Sequence, residues 1–518
     1  MTQEIEIRLA VRPEDRTRLY RSELLKRLST RRASTNQLQS IYYDTPDLAM
    51  AKQGLSLRVR KTGRAFMQTV KGPNSGSLLS ERVEWESRLP DGTPDLSAIS
   101  DDDMRERVRA LVADFIIEPK VETEITRTTR HLTTDAGDEI ECAFDDGTIS
   151  SVGDANGGLP VMEVELELKS GSPAALFELA RELNRIVTLK MQTESKSERG
   201  LRVLSGQDIQ ARKPERVVLP EGATAEDAFR TTLRHCLRHM AYNVAAVEIR
   251  DPGGVHQIRV GLRRLRAGFS AFGKAFHVPR LNALRAQAKN LADAFGATRE
   301  LDVFAHELLP QVEPEGATPA PVRAVRARLE EVRTRAWDDA VELARSSAFT
   351  DFLLDLGDAA ETRAWRSPIG DDSAIFERPA LEIACKALDA EFKKTRKRAK
   401  HLSRLNTDER HRLRIALKRL RYSAEFFAPL FPDKYVGPYL KQISKAQDAF
   451  GLLNDASTVQ HVLARLVEEP DLHNADILRE GAAFVAGWHL GRVPGGWQSA
   501  RKHWKRLAKT DPFWHAEG

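Results

Sequence analysis

The spacing of hydrophobic residues changes once along this chain of 518 residues, and the change divides the chain into two parts. Up to about residue 204, short segments alternate charged with apolar side chains, which is typical of half-buried, usually antiparallel strands. From about residue 222, Ala, Leu and Arg dominate long segments with helical spacing. We therefore predict an N-terminal domain at 1–204, a linker at 205–221 and an all-α domain at 222–512.

The strand-like segments carry their charges on one face. The clearest ones are EIEIR (4–8), SLRVRK (56–61), ERVEWES (81–87), DEIECAFDDG (138–147) and VMEVELELK (161–169). Helices are predicted between them at 13–29 and 172–186, the second capped by Ser172. A single strand of this kind usually has a solvated outer face. Taken together, however, the helices need apolar strand faces to pack on, so the charged faces favour the interior of a closed antiparallel barrel in an α+β domain.

A polar barrel interior of this composition suits phosphate chemistry. Carboxylates can hold hard divalent cations, while Arg and Lys can hold phosphate oxygens. The sequence therefore predicts a site for phosphoanhydride chemistry inside the barrel.

The helical part contains an internal repeat. Residues 256–300 align with residues 411–455 at a constant offset of 155 without a gap, so that HQIRVGLRRLR matches HRLRIALKRLR. Duplication of a helical unit explains this match, and we expect the two copies to pack about a pseudo-twofold axis in one helical bundle.

Each copy of the repeat places a basic stripe on one helix. With about 100° per residue, the basic side chains fall within an arc of about 80°, beside a separate apolar face. The stripes comprise His256, Arg259, Arg263 and Arg266 in the first copy, and His411, Arg414, Lys418 and Arg421 in the second. Asp and Glu are absent from 255–272 and 411–424, so a solvated stripe neutralised by its neighbours is the less favoured interpretation. The basic faces also lack aromatic residues, which favours a phosphate polyanion over nucleic acid.

The charge of the chain supports this assignment. Residues 1–204 hold 30 Lys and Arg against 34 Asp and Glu, whereas the remainder holds 50 against 41, so net charges of −4 and +9 give the total of +5. A basic second part indicates a polyanionic partner. Three separated cysteines, the lack of an eighteen-residue apolar run and the acidic N-terminus predict a reduced, cytoplasmic protein without a membrane partner.

The first part resembles the CYTH family of triphosphate tunnel proteins. The matching motifs, in family order, are EIEIR (4–8), with Arg8 where the family usually has lysine, YYDTPDL (42–48), LSLRVRK (55–61), TVKG (69–72), ERVEWE (81–86), TEITRTTR (123–130), AFDDG (143–147), EVELELKSG (163–171) and SKSERG (195–200). The resemblance implies metal-dependent hydrolysis of inorganic triphosphate, tripolyphosphate in particular, to pyrophosphate and phosphate.

The same resemblance assigns roles to the charged residues. Glu163 and Glu165 would hold one Mg²⁺ or Mn²⁺ ion, and Glu4 and Glu6, together with Asp145, would hold a second. The phosphates would be held by Arg8, Arg58, Arg60, Lys71, Arg82, Arg127 and Lys196. Two alternatives stay open: a tunnel enzyme for an organic triphosphate, of the adenylyl cyclase or thiamine triphosphatase type, and a non-catalytic polyphosphate scaffold.

The second part resembles the CHAD family of conserved-histidine helical domains. The resemblance rests on Val255 to Arg266, on ATRE (297–300), where Glu300 replaces the usual aspartate, and on His411 to Tyr422. It implies that the two basic stripes bind long-chain inorganic polyphosphate and that this domain holds polyphosphate near the tunnel or brings the protein to polyphosphate stores.

Overall fold

The computed structural model describes residues 2–515 except 75–77, 114, 154–157, 273–275, 277, 313–317, 367–372 and 469–474. The chain forms two compact units, Met1–Gln210 with Ala344–Arg363, and Ala211–Leu343 with Ala364–Gly518. Of the described helices, none has both the length and the hydropathy needed to cross a lipid bilayer.

The strands of the first unit close into a barrel. In the described ranges they are β1 (Thr2–Ala10), β2 (Ser34–Asp44), β3 (Ser56–Thr62), β4 (Ala65–Lys71), β5 (Ser80–Leu89), β6 (Glu118–Thr133), β7 (Glu139–Ser151), β8 (Leu159–Ser170) and β9 (Lys190–Met191). They pair antiparallel in the order β5-β4-β3-β2-β6-β7-β8-β1, and β1 also pairs with β5, which closes the barrel. The short β9 pairs with the last residues of β1. The predicted antiparallel barrel is confirmed.

Helices cover the apolar outer faces of these strands. They are α1 (Arg16–Tyr20), α2 (Glu23–Leu28), α3 (Ala49–Lys52), α4 (Asp102–Val112) and α5 (Pro173–Ile186), and α6 (Lys196–Leu204) follows. One core joins Met50 of α3 and Val108 of α4 to Leu57, Val70 and Trp85 on β3, β4 and β5. The helix predicted at 13–29 is instead broken into two, because Ser22 has extended backbone and caps α2 by accepting a hydrogen bond from the Leu25 amide.

The remaining helices run from residue 225 to residue 507. They are α7 (Ala225–Tyr242), α8 (Val244–Glu248), α9 (Pro252–Ala271), α10 (Pro279–Ala294), α11 (Gly296–Val303), α12 (Ala320–Arg345), α13 (Ser347–Glu361), α14 (Ser373–Phe376), α15 (Ala380–Arg398), α16 (Thr407–Phe427), α17 (Asp433–Val467) and α18 (Ala475–Leu507). No strand lies in this described part of the chain, so the predicted all-α character is confirmed. The proline-containing segment PQVEPEGATPAPV (310–322) also predicts a loop between helices, and residues 313–317 of it lie outside the described residues.

The repeat is visible in these helices. Helix α9 corresponds to α16, and α10 with α11 corresponds to the single long helix α17, since the break at Phe295 is absent from the second copy. Helices α9 and α16 contact each other, which brings the two arginine-rich segments together. Elsewhere in this unit, α11, α12, α17 and α18 share one apolar core.

Helix α13 belongs to the first unit, although it follows α12 of the second. It packs on α5 of the barrel unit. Asn184 of α5, only 2% exposed, donates through Nδ2 to Ser347 O (3.0 Å) and to Asp351 Oδ1 (2.8 Å), and its Oδ1 accepts from Leu189 N (2.9 Å). The sequence prediction places all of 222–512 in the helical domain, whereas α13 packs in the first unit. The apolar pattern of α13 does not specify which surface covers it.

This packing can be tested with Asn184→Ala. Because the change leaves several buried polar groups without partners, we expect the free energy of unfolding to fall by about 2–4 kcal/mol. Urea unfolding of the full chain measures it, with the neighbouring, exposed Arg185→Ala as the control. Equal stability of the two variants would show that the α5–α13 contact contributes little.

Candidate active site and basic surface

Side chains from all eight barrel strands line a cavity of about 250 Å³ inside the first unit. It contains ten of the twelve predicted tunnel residues: Glu4, Glu6, Arg8, Arg58, Arg60, Lys71, Arg82, Arg127, Glu165 and Lys196. The other two, Asp145 and Glu163, are only 1% and 2% exposed and lie next to Glu165. The alternating strand pattern therefore places its charges inside the barrel, as expected.

Three carboxylates come together on two neighbouring strands. Asp145 on β7 lies opposite Glu163 on β8, and Glu165 follows two residues later on the same face. Their oxygens lie within 4.8 Å of one another. Asp145 was expected to act with Glu4 and Glu6, whereas the β7–β8 register places it beside Glu163 and Glu165.

The ammonium group of Lys196 lies among these three carboxylates. Its Nζ is 2.7 Å from Asp145 Oδ2 and 2.8 Å from Glu165 Oε1, and it also donates to Glu163. Burial alone would lower the pKa of Lys196, but the three carboxylates outweigh burial and raise it well above its usual value. The cluster thus favours a cation. Carboxylate oxygens at this spacing also suit a hard divalent ion such as Mg²⁺ or Mn²⁺.

Two arginines complete the charge balance of the cluster. Arg127 donates to both oxygens of Asp145 (2.7 and 2.6 Å) and to Glu165, and Arg199 Nη2 donates to Glu163 Oε2 (2.6 Å). Three cations therefore face three anions in a nearly dry environment. Loss of any one of them leaves an uncompensated buried charge, which is strongly destabilising.

Helix α6 places Lys196 in the cavity. Ser195 caps the helix in a reciprocal capping box with Glu198, so Lys196 is the first helical residue and the positive end of the helix points at the cavity. Four residues later, Gly200 packs against β6 so closely that a Cβ atom would meet Val121 Cγ1 at 2.2 Å. The close approach therefore requires glycine.

A second group of acidic side chains comes from β1. Lys71 Nζ lies 2.6 Å from Glu4 Oε2, and this charge outweighs burial and lowers the pKa of Glu4. Arg8 Nε lies 3.5 Å from Glu6 Oε1. Burial and the nearby charge of Glu165 nevertheless raise the pKa of Glu6 to about 7. Glu6 is thus an acidic group that a further cation would stabilise.

Arginines on β3 and β5 have N–H groups that are not used in hydrogen bonds within the described structure. The buried Nε atoms of Arg58 and Arg82 have no hydrogen-bond partner within the described structure. Arg60 donates to Ser40 Oγ (3.1 Å), and burial together with the charge of Arg58 lowers its pKa to about 9. Guanidinium groups held together in this way fit an anion with several oxygens, such as a phosphate chain.

The sequence motifs do not single out Arg199, which lies beside the cavity against Glu163, or Tyr42, which lines it. Arg199 lies three residues after Lys196, so its helical spacing could have indicated that both face the same site. Tyr42 is on β2 and lies opposite Arg58 of β3. The alternation of charged and apolar residues does not reveal β2. Although burial acts to raise the pKa of Tyr42, the charges of Arg58 and Arg60 outweigh burial and lower it.

In the second unit, the stripes of α9 and α16, together with Arg299 of α11, form one crowded group of basic side chains. We call it the α9–α16 cluster, and its members are His256, Arg259, Arg263, Arg299, Arg414 and Lys418. Burial, followed by repulsion from Arg263 and Arg414, lowers the pKa of Lys418 to about 6. The buried Nε atoms of Arg259 and Arg414 lack hydrogen-bond partners in the described part of the chain. Such a cluster is stabilised by a bound anion.

The other predicted stripe residues differ in their surroundings. Arg421 is paired with Glu425 (2.7 Å), an acidic residue just beyond the segment that appeared free of acids. His411 is exposed and lines a separate pocket with Arg414, and Arg266 is half-buried near Asp293. Arg264, outside the predicted arc, is buried against Glu425 (3.1 Å) and Phe426. Arg263, Lys418 and Arg414 therefore lie at the centre of the cluster.

Comparison with known proteins assigns both parts of the chain. The CYTH domain model matches residues 2–201, and the CHAD domain model matches residues 231–464. This chain is a CYTH domain followed by a CHAD domain. The CHAD part also resembles the crystal structure of the CHAD domain from the plant Ricinus communis, with a TM-score of 0.50, 26% sequence identity and coverage of 58% of this chain and 98% of that chain.

Two of the relatives that match in sequence show how far the similarity extends. An inorganic triphosphatase of Haemophilus influenzae is 29% identical over 208 residues, which is 39% of this chain and 54% of that protein. The CYTH–CHAD chain thus spans about half the length of this relative. An uncharacterised protein of Mycobacterium tuberculosis is 27% identical over 426 residues, or 75% of this chain and 76% of that protein.

The position of Lys196 predicts competition between its ammonium group and a metal ion. In Lys196→Met, the cluster keeps three carboxylates but only two cations, so the variant should lose roughly 3–5 kcal/mol of stability without metal. Mn²⁺ should restore much of this loss and should bind more tightly than to the wild type. Thermal unfolding and titration with Mn²⁺, both without phosphate, measure these effects, with the exposed Lys52→Met as the control. Weaker Mn²⁺ binding by Lys196→Met than by the control would contradict the interpretation.

Proposed function

We propose that the CYTH barrel hydrolyses an inorganic triphosphate, tripolyphosphate in particular, to pyrophosphate and phosphate with a divalent metal ion. One observation carries this proposal: the Asp145–Glu163–Glu165 cluster meets the cavity through Glu165, and arginines with spare buried donors line the same cavity. Phosphoryl transfer needs little from a protein beyond such positioning and charge stabilisation. The Haemophilus relative is named an inorganic triphosphatase, which supports this assignment.

Each group of residues has a task in this reaction. Asp145, Glu163 and Glu165 would hold Mg²⁺ or Mn²⁺, which when bound polarises phosphate oxygens and lowers the pKa of a coordinated water. Glu4 and Glu6 are the candidates for a second ion. Water oxygen attacks a terminal phosphorus, and the bond from this phosphorus to the bridging oxygen breaks.

The cations would bind and orient the substrate in this step. Their hydrogen bonds to the outer oxygens would stabilise the charge that spreads over them as the bridging bond breaks. The residues in this role are Arg8, Arg58, Arg60, Lys71, Arg82, Arg127 and Lys196, and Arg199 supports Glu163 from behind.

The composition of the cavity favours an inorganic substrate over ATP or thiamine triphosphate. Among the described residues that line it, Tyr42 is the one aromatic side chain, and the others are charged or hydroxyl-bearing. A nucleobase or thiazole ring would need apolar or aromatic surface for stacking. Tripolyphosphate asks only for charge and hydrogen bonds, which this cavity offers.

Glu165→Gln tests the metal-holding role. The change keeps the size of the side chain but removes a ligand charge, so metal-dependent phosphate release from tripolyphosphate should fall roughly 10³-fold or more. The control is Glu124→Gln on the exposed outer face of β6. Full activity in a folded Glu165→Gln protein would refute the assignment.

We further propose that the CHAD domain binds long-chain polyphosphate through the α9–α16 cluster. The proposal is supported by the mutual repulsion of its cations and by the unpaired donors of Arg259 and Arg414. Phosphate chains supply closely spaced negative charges without bases. Among the described residues, Tyr422 accepts a hydrogen bond from Arg263 Nη1 (3.4 Å), but it is only 6% exposed and so offers bases no open face for stacking. Such binding could hold polyphosphate near the protein without any catalysis by this domain.

Lys418 predicts how polyphosphate binding depends on pH. In the free protein its pKa is about 6, so the amine is largely neutral at higher pH. Bound phosphates favour the charged form and raise this pKa, so binding takes up a proton above pH 6. Affinity should therefore be nearly constant below pH 6 and fall by up to about tenfold per pH unit above it. Asp455, whose pKa burial raises to about 6, ionises in the same range and acts in the same direction.

The matched variant is Lys418→Arg, which stays charged throughout this range. Titration of the full chain with labelled polyphosphate between pH 5.5 and pH 8, at constant ionic strength and with a metal chelator, gives the two profiles. The wild type should lose more affinity than Lys418→Arg as pH rises. Identical profiles would show that Lys418 does not meet the polyanion.

A further inference from the structure

The last turns of α15 carry a second concentration of positive charge that neither proposed site uses. Between residues 393 and 400, in the sequence KKTRKRAK, six of eight side chains are Lys or Arg. Of these, Lys394 is paired with Glu391 (2.7 Å). Lys393, Lys397 and Lys400 are exposed and form no ion pair within the described structure.

These side chains border a cleft of about 850 Å³ in the second unit. One wall is the C-terminal half of α15, and the other is the chain that follows α18, from Ala508 to His515. We call this the α15 cleft, and its cations are Lys393, Arg396, Lys397, Lys400 and Lys509. The acidic side chains along it are Asp389 and Asp511, so positive charge is in clear excess.

Asp389 already has partners on the other wall of the cleft. Asp389 Oδ1 accepts from Trp514 Nε1 (2.9 Å) and lies 2.8 Å from His515 Nε2. These contacts hold α15 against the C-terminal wall of the cleft.

Compensation of helix dipoles does not explain so many cations. Positive residues in the last turn of a helix stabilise it by about 0.3–1 kcal/mol each, and the effect fades within one turn. Arg398, near the end of α15, does not line the cleft, whereas Lys393, more than a turn from the end, does. Five cations gathered from two separate segments repel one another unless an anion lies between them.

The shape and the aromatic residues of the cleft indicate which anion fits. A membrane surface is flat, whereas this site is concave. Single-stranded nucleic acid needs free aromatic faces, but Phe392 is half-buried, lies under Arg396 (5.8 Å) and packs edge-on against Trp514, which is itself buried. A thin phosphate chain without bases fits the charge and the available space.

We propose that the α15 cleft is a second polyphosphate-binding surface of the CHAD domain, separate from the α9–α16 cluster. The proposal extends the polyphosphate binding proposed above. A chain long enough to occupy both surfaces binds more tightly than either surface allows alone, whereas a chain too short to reach both gains nothing.

The test uses the full chain, a metal chelator to prevent hydrolysis, and end-labelled polyphosphate of long and short chain length at two salt concentrations. Three variants are compared: the cleft variant Lys393→Ala/Lys397→Ala/Lys400→Ala, the cluster variant Arg263→Ala/Lys418→Ala, and the matched control Lys289→Ala/Arg323→Ala/Arg479→Ala. The control removes three exposed cations from α10, α12 and α18 that do not line the cleft. Thermal unfolding verifies that all three variants are folded.

The cleft variant should bind long chains roughly tenfold more weakly than the wild type at low salt, with a shallower salt dependence, while the matched control changes by less than about twofold. Equal affinity of the cleft variant and the matched control overturns the proposal. Labelled single-stranded DNA is titrated in parallel, and a cleft variant that loses DNA binding but keeps polyphosphate binding also overturns the proposal. If only the cluster variant weakens, the cleft proposal fails and the CHAD function proposed above stands; if the wild type binds no polyphosphate, both fail.

Discussion

The barrel depends on a cluster of buried ionised side chains in which three carboxylates are neutralised by three cations. Asp145, Glu163 and Glu165 could not remain ionised in a dry interior alone, because removing charges from water is expensive unless partners and hydrogen bonds replace it. Lys196, Arg127 and Arg199 provide those partners. The same charges that hold α6 against the barrel are therefore the ones that a metal ion and a phosphate chain would engage.

The CHAD part uses charge in the opposite way. In the α9–α16 cluster, like charges are brought together by duplication, since each copy of the repeat contributes an arginine-rich helix and the two helices pack on each other. The apolar core that joins these helices offsets the repulsion, and burial together with this repulsion lowers the pKa of Lys418. One chain thus combines a barrel with compensated charges and a helical domain with uncompensated ones.

Much of the fold and most of the candidate site follow from local pattern. Period-two alternation places Glu4, Glu6 and Glu165 inside the barrel before any contact is known, and helical spacing places Arg263 and Lys418 on facing stripes. What the pattern lacks is tertiary register. The pairing of Asp145 with Glu163 depends on the β7–β8 alignment, and the contact of Arg199 with Glu163 depends on how α6 enters the barrel.

Contacts with residues outside the sequence motifs explain the other differences between the predicted and the observed structure. Helix α13 is held on α5 by polar contacts that its apolar pattern does not specify, among them the hydrogen bonds of Asn184 and the ion pairs of Arg181 with Asp355 and Asp358. Glu425 lies a few residues beyond the second basic stripe, yet the turn of the helix returns it to Arg421. Asn184 and Glu425 lie outside the sequence motifs whose residues they contact or pack near, so the motifs alone do not predict these contacts.

The central claim is that the CYTH cavity is built for a metal-bound inorganic triphosphate. The most direct measurement is phosphate release by the full chain from tripolyphosphate, ATP and thiamine triphosphate, each with Mg²⁺ or Mn²⁺ and with a chelator. We expect metal-dependent phosphate release that is fastest, by a wide margin, from tripolyphosphate. Faster turnover of an organic triphosphate, or no release from any of the three, would contradict it.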